Sequence, residues 1–224
     1  YSNGNQYGID PNAIFVGGSS AGAVIALHLA YIDNISDLPT SPVDVQSIVS
    51  NLGGLEGDAG NYGYSSEVNG VISFAGGINN ITWIDALDEP LVSIQGDADV
   101  TVNYNCGPGL NQATVLTLCG SGEMHPQAEL AGIYNEHLLF TGAAHSWFTS
   151  GHANPKFTEA INFTSSFLYP ILPCNNTTSI SNTINNRKLV RITDYLGREI
   201  DRRSNSVLFY IYNNGDIERK TFLD

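Results

Sequence analysis

Short apolar runs alternate with longer stretches of helical spacing along the first 170 residues. Ala13-Ile-Phe-Val-Gly17, Val71-Ile-Ser-Phe-Ala75, Pro90-Leu-Val-Ser-Ile-Gln95 and His137-Leu-Leu-Phe-Thr141 have strand length and almost no polar alternation. Between and after them, residues 20–31 form an Ala-rich helical pattern, and residues 156–169 place Phe157, Ile161 and Phe167 at helical spacing. Apolar strands separated by helices predict an α/β fold with a mainly parallel sheet covered on both faces. Such sheets collect functional groups at the carboxyl ends of their strands. Each strand candidate ends in a Gly-containing turn, and three of these turns carry Ser20, Asp99 or His145.

The turn after the first strand is Gly18-Ser19-Ser20-Ala21-Gly22, a G-x-S-x-G pattern that opens the helix. In this arrangement a nucleophile sits on a strained strand-to-helix turn, and the glycines two residues either side avoid collisions with neighbouring backbone. Register selects Ser20 over Ser19, because only Ser20 has Gly at both flanking positions. The helix N-terminus favours developing negative charge beside it. A serine hydroxyl needs a base, and the base needs an orienting carboxylate. His145, in the Gly-Ala-Ala-His turn, is the candidate base and Asp99 the candidate acid, with Asp97 as its rival nearer the strand end. Ser20, Asp99, His145 is the chain order of the α/β-hydrolase triad. His28 reads as packed or half-exposed within its helix, His125 as a capping or surface residue at a helix start before Pro126, and His137 as the opening of a strand. His152 falls in the loop after His145.

Composition narrows the alternatives. The 224 residues are 42% hydrophobic, enough for a substantial core, which excludes wholesale disorder. No apolar run reaches the roughly 20 residues that span a bilayer. A net charge of −13 repels phosphate backbones and anionic lipid, against nucleic-acid and membrane-surface partners. The charge is also uneven. Residues 1–186 hold 16 acidic side chains and a single basic one, Lys156, whereas residues 187–224 hold eight basic against six acidic. Such a shift marks a module boundary. The polar stretch 173–186 reads as a linker, giving a catalytic portion over 1–172 and a small β module over 187–224. An acidic enzyme with a basic final hairpin in one fold is the simpler alternative.

Cys106 and Cys119 lie 13 residues apart in a Gly-rich stretch, a spacing that suits a disulfide in an oxidising compartment and would leave Cys174 unpaired. Three free thiols in a reducing cytosol fit the spacing equally. No Cys/His cluster has zinc-ligand spacing, and no HExxH, P-loop or GxGxxG occurs, so no metal or cofactor is expected. Residues 36–70 form a long Gly- and Ser-rich insertion of the kind that caps a site, with Tyr62 and Tyr64 as candidate pocket residues. Trp147, two residues after His145, either walls the acyl site or packs.

The stretch Tyr7-Gly-Ile-Asp-Pro-Asn-Ala-Ile-Phe-Val-Gly-Gly-Ser-Ser-Ala-Gly22 resembles the nucleophile region of α/β-hydrolase carboxylesterases. Glu89-Pro-Leu-Val-Ser-Ile-Gln-Gly-Asp-Ala-Asp99 resembles their acid loop, with Gln95 where His is usual, and Gly142-Ala-Ala-His-Ser146 resembles their histidine loop. The similarity covers about residues 7–170. It implies an α/β-hydrolase fold in which Ser20 is the nucleophile, Asp99 the acid and His145 the base, with the Ala21 N–H as one oxyanion-hole donor. The substrate it implies is a small-molecule or polymeric carboxylic ester. A second oxyanion donor, from a loop after an early strand, and the first strands themselves would lie upstream of Tyr1. On this reading the 224 residues alone are expected to be poorly stable and nearly inactive, and a longer parent to be the enzyme. A prolyl-oligopeptidase-type peptidase and a catalytically silent surface-binding protein are the rival readings.

In the last module, Leu189 to Ile200 alternates like a strand with a turn at Leu-Gly-Arg. Val207-Leu-Phe-Tyr-Ile-Tyr212, Asn213-Asn-Gly215 and Asp216 to Phe222 then read as a hairpin. The D-x-x-G-R-x-hydrophobic step from Asp194, the Tyr-rich hairpin and the basic end resemble the C-terminal sorting domains of the type IX secretion system. That resemblance implies a secreted or cell-surface protein whose tail meets the secretion machinery; a small β appendage without a sorting role is the alternative.

Overall fold

The computed structural model describes residues 4–58, 60, 63–173, 189–194, 197–200, 206–213 and 217–222. Tyr62, Cys174 and nearly all of the expected linker lie outside these residues. The chain divides into two compact units, Tyr1–Asn176 and Thr177–Asp224.

In the first unit a short helix, α1 (Gly4–Tyr7), leads to β1 (Val16–Ser19) and α2 (Ala21–Tyr31). There follow α3 (Val45–Asn51), β2 (Val71–Phe74), β3 (Leu91–Gly96), the hairpin β4 (Cys106–Pro108) and β5 (Thr117–Cys119), α4 (Ser121–Ala131), β6 (Asn135–Phe140) and α5 (Pro155–Ile171). The main sheet runs β1-β2-β3-β6, with every pairing parallel. All six residues of β3 are buried, which is why its sequence shows no polar alternation. Leu91 faces a cluster with Leu27, Tyr31, Ile78, Met124 and Ala128, so α2 and α4 cover one side. Val92 and Ile94 face Phe74, Phe140, Trp147 and Phe167, so α5 covers the other. The alternation puts Ser93 and Gln95 on Leu91's side, beneath α4.

Three expectations shift. The first strand begins at Val16, where its pairing with Val71 of β2 begins, and runs to Ser19; within it Gly17 packs against Ile72, where a Cβ would lie only 2.9 Å from that side chain. Between β2 and β3 the crossover holds only a single 3-10 turn, Ile81–Trp83, where the alternating pattern predicts a full helix. The helix around His125 begins five residues before Pro126, at Ser121. Proline suits a first helical turn, but Pro126 sits inside α4, and His125 is a buried interior residue rather than a cap. Gly132 ends α4 in the left-handed conformation (φ 79°), with its N–H bonded to carbonyls of the last turn.

The second unit is a three-stranded antiparallel sheet of β7 (Leu189–Thr193), β8 (Ser206–Tyr212) and β9 (Ile217–Phe222), in the order β7-β8-β9. After β7 the chain reverses around Asp194. Gly197 (φ 74°) donates to the Asp194 carbonyl, and the Asp194 carboxylate accepts from Arg198 N (3.0 Å) and Nε (2.7 Å). Asn214, Gly215 and Asp216 of the expected hairpin turn lie outside the described residues. No helix among the described residues is long and apolar enough to cross a membrane.

Candidate active site

Ser20 joins β1 to α2 with φ 52° and ψ −122°, a backbone state that L-residues rarely occupy. Its N–H donates to Phe74 O (2.8 Å), and its carbonyl accepts from Ala23 and Val24, so both flanking elements hold the turn. A Cβ on Gly18 would sit 2.6 Å from Gly22 O, and the helix can follow the strand this tightly only with glycine there. Gly22 differs from expectation, since a Cβ on it would meet nothing within 4 Å. Ala21 opens α2, where helix geometry leaves its N–H without an intrahelical acceptor.

Asp99 lies on the turn that follows β3. Its Oδ1 accepts from Thr101 N (2.9 Å) and Val102 N (3.0 Å), and its Oδ2 faces His145 Nδ1 at 2.8 Å. The Asp99 carboxylate is fully buried and the His145 ring is 14% exposed. His145 starts a 3-10 turn after β6, and its Nε2 lies 2.7 Å from Ser20 Oγ. An ionised carboxylate only accepts, so Nδ1 carries the proton and Nε2 is left to receive the serine hydrogen. Asp97 does other work: its Oδ1 accepts from Gly142 N (2.6 Å) and so pins the histidine loop to the acid loop. Gly96 lets the two loops meet, since any side chain there would collide with the Ala143 carbonyl.

Aromatic packing holds the histidine from below. Phe148 stands edge-on to the His145 ring at 5.6 Å, and Trp147 packs against Phe74, Phe140 and Phe148. Trp147 is only 5% exposed, so of its two readings the structure supports packing. The insertion is placed differently from expectation. α2 leaves the site and ends about 16 Å further on, where Tyr31 donates to Glu89 O just before β3. The chain re-enters at Val71, the start of β2, so both ends of the insertion stand at the opposite end of the sheet from Ser20. Tyr64 is exposed.

The disulfide between Cys106 and Cys119 joins directly opposed residues of β4 and β5 and closes the hairpin that follows the Asp99 turn. Gln95, at the departure from the resembling acid loops, is fully buried: its Nε2 donates to Val102 O (2.8 Å) and its Oε1 accepts from Ser121 N (2.7 Å). Further beneath α4, Ser93 Oγ meets Ser121 Oγ and His125 Nε2, both at 2.7 Å, and His125 Nδ1 meets Asn135 Oδ1 at 2.7 Å. His125 and His137 stack at 5.0 Å. Burial lowers both, and His137, also facing His125, falls to about 4. His28, bonded to Val24 O, is lowered by burial as well. Sequence reasoning missed this buried ladder because its members come from β3, α4 and β6 and share no local motif.

Among the described residues, Asp33, Asp85 and Asp88 bring their carboxylates within 4.8 Å of one another, mostly exposed. Burial first, and then the neighbouring acids, push Asp88 up to about 7.

The first unit thus has the architecture of a mainly parallel α/β domain, and a solved esterase is similar to it in fold. Esterase 2 of the planctomycete Thermogutta terrifontis, with propionate bound, matches at a TM-score of 0.55 and 20% identity over 75% of this chain and 60% of its own. The same esterase phosphoramylated by tabun matches at 0.53 and 21% identity over 73% and 57%. Phosphorylated by paraoxon, it matches at 0.52 and 21% identity over 73% and 56%. The chain therefore spans under two thirds of that esterase's length. No protein-family profile and no curated protein matches the chain.

Proposed function

We propose that the intact protein is a serine hydrolase of the α/β-hydrolase fold that cleaves carboxylic esters. The observation that carries this reading is the continuous line Ser20 Oγ, His145, Asp99 Oδ2, with steps of 2.7 and 2.8 Å, on a strained elbow at the carboxyl end of the sheet. Ser20 Oγ attacks the ester carbonyl carbon while His145 Nε2 takes its proton, and Asp99 keeps the imidazole in the tautomer that can receive it. The carbonyl oxygen becomes an oxyanion facing the Ala21 N–H. Collapse breaks the ester C–O bond, and His145 returns the proton to the departing alkoxide. Water, deprotonated by His145, then attacks the acyl-serine; the acid leaves and the proton goes back to Ser20.

Short acyl chains are the first substrates to try, given the propionate-bound esterase of like fold. The C-terminal sheet, by its resemblance to type IX sorting domains, carries the protein to the cell surface or outside it, and the disulfide suits that compartment. The test is hydrolysis of p-nitrophenyl propionate by the intact protein, with paraoxon as a stoichiometric probe. Turnover abolished by Ser20→Ala, with one phosphoryl group recovered on Ser20 in the unaltered protein, is the expected result. Cleavage of aminoacyl amides without ester turnover would shift the reading to a peptidase. Absence of both turnover and labelling would leave a silent binding protein.

A further inference from the structure

The candidate acid needs its carboxylate fixed to within about 0.5 Å to orient an imidazole, yet Asp99 sits on a turn beyond the strand end. Its Oδ1 is held by the N–H groups of Thr101 and Val102, so the carboxylate can be no better placed than that short segment. Val102 is gripped at its other end: its carbonyl accepts from Gln95 Nε2 at 2.8 Å. Gln95 belongs to the wholly buried β3, where it stands opposite Leu139 of β6 in the ladder. The remaining end of its amide, Oε1, accepts from Ser121 N at 2.7 Å, the first N–H of α4. That N–H has no acceptor within its own helix, and the N-cap, Gly120, has no side chain to offer one. Gly120 in turn leaves room for the approach, since a Cβ there would lie 2.6 Å from Gln95 Oε1 and 2.8 Å from Tyr104 O.

We infer that Gln95 is a positioning residue for Asp99: one buried amide ties the acid turn, through Val102, to the strand and to the start of α4. This rests on the reading of Ser20, His145 and Asp99 as the reacting line. The side-chain hydrogen bonds of Gln95 go to Val102 and Ser121 rather than to any of the three, and its effect runs through the carboxylate alone. A side chain of similar size without hydrogen bonds releases the Val102 carbonyl and the Ser121 N–H together. A histidine keeps a ring N–H for the one and a ring nitrogen lone pair for the other.

The test is a double-mutant cycle in the intact protein, with rates normalised to the paraoxon-labelled fraction. Gln95→Met is expected to lower kcat about 10- to 100-fold, the usual cost of removing an outer support, with KM changed less than about twofold. In the Asp99→Asn background the same substitution is expected to cost less than about threefold, because the group it positions has already lost its role. Gln95→His is expected to recover kcat to within about fivefold, and it keeps the test open should Gln95→Met fail to fold. Wild-type kcat in Gln95→Met overturns the inference, as does an equal loss in both backgrounds, which marks a general structural role. A Gln95→His enzyme as slow as Asp99→Asn also overturns it. Unchanged turnover in Asp99→Asn itself instead removes the underlying reading.

Discussion

Two chains of Ser, His and an acceptor lie within this unit, and their distances are nearly the same. Ser20–His145–Asp99 has steps of 2.7 and 2.8 Å; Ser93–His125–Asn135 has steps of 2.7 and 2.7 Å. Spacing therefore does not separate the proposed reacting chain from a structural one. What separates them is the setting. Ser20 stands on a strained elbow beside the open N-terminus of α2, whereas Ser93 lies on a regular strand, fully buried, with its hydroxyl also engaged by Ser121. His145 Nδ1 is backed by a carboxylate that can stabilise an imidazolium, while His125 Nδ1 meets an amide oxygen and its ring stacks on a second histidine. Burial weakens the hold of His125 on a proton.

The sharpest break in this comparison is the pair of serines. Ser20→Ala in the intact protein is expected to lower esterase turnover by about 10⁴- to 10⁶-fold with little change in melting temperature. Ser93→Ala is expected to leave turnover within a few-fold and to lose about 1–3 kcal/mol of stability, because His125 Nε2 is left without its partner. Urea titration alongside steady-state kinetics separates the two. Next come the acceptors. Asp99→Asn should lower kcat by about 10⁴-fold by favouring the wrong tautomer. Asn135→Asp, which completes the buried chain with a carboxylate, should add no activity after Ser20→Ala, since no substrate reaches Ser93.

Acid titration gives a smaller effect with a definite sign. His125 and His137 have folded values below 6.5, the latter at about 4. Below pH 6.5 the unfolded chain therefore binds protons that the folded chain refuses, so stability falls as pH drops from 6.5 towards 4. Asp88 acts oppositely. Held near 7 against an ordinary 3.8, it keeps a proton in the folded chain that the unfolded chain gives up, favouring folding as pH falls through that window. Denaturation midpoints across pH 4–8 should then show Asp88→Asn gaining most above pH 7. The gain is expected to stay below about 1 kcal/mol, since the group is half exposed and solvent screens it.

The reach of sequence reasoning follows the range of the interactions. The elbow is legible because its constraint is local: Gly18 must lack a Cβ where the helix doubles back on the strand, and Ser20 is the third of the five residues of one motif. Distance from the strand end alone favours Asp99 over Asp97, and the structure places these two in different bonds, one to His145 and one to Gly142. The helix around Pro126 was misplaced because a proline's preference for first turns is weak against burial of Met124 and Ala128 beneath the sheet. The length of the insertion is visible in the sequence, whereas the end of the sheet at which it enters is not.

The order of apolar runs and glycine turns is enough by itself for a parallel α/β unit and three side chains of a candidate site, and the change of charge after residue 186 marks off the C-terminal β strands, since these signals are read along the chain. Tertiary structure alone decided that Gln95 grips Val102 and Ser121, that a second Ser–His chain lies buried beneath α4, and that Trp147 packs below the site. Those contacts join residues from different strands and helices, and only packing of the elements on the sheet brings their polar atoms within reach and removes the water that would otherwise bond them.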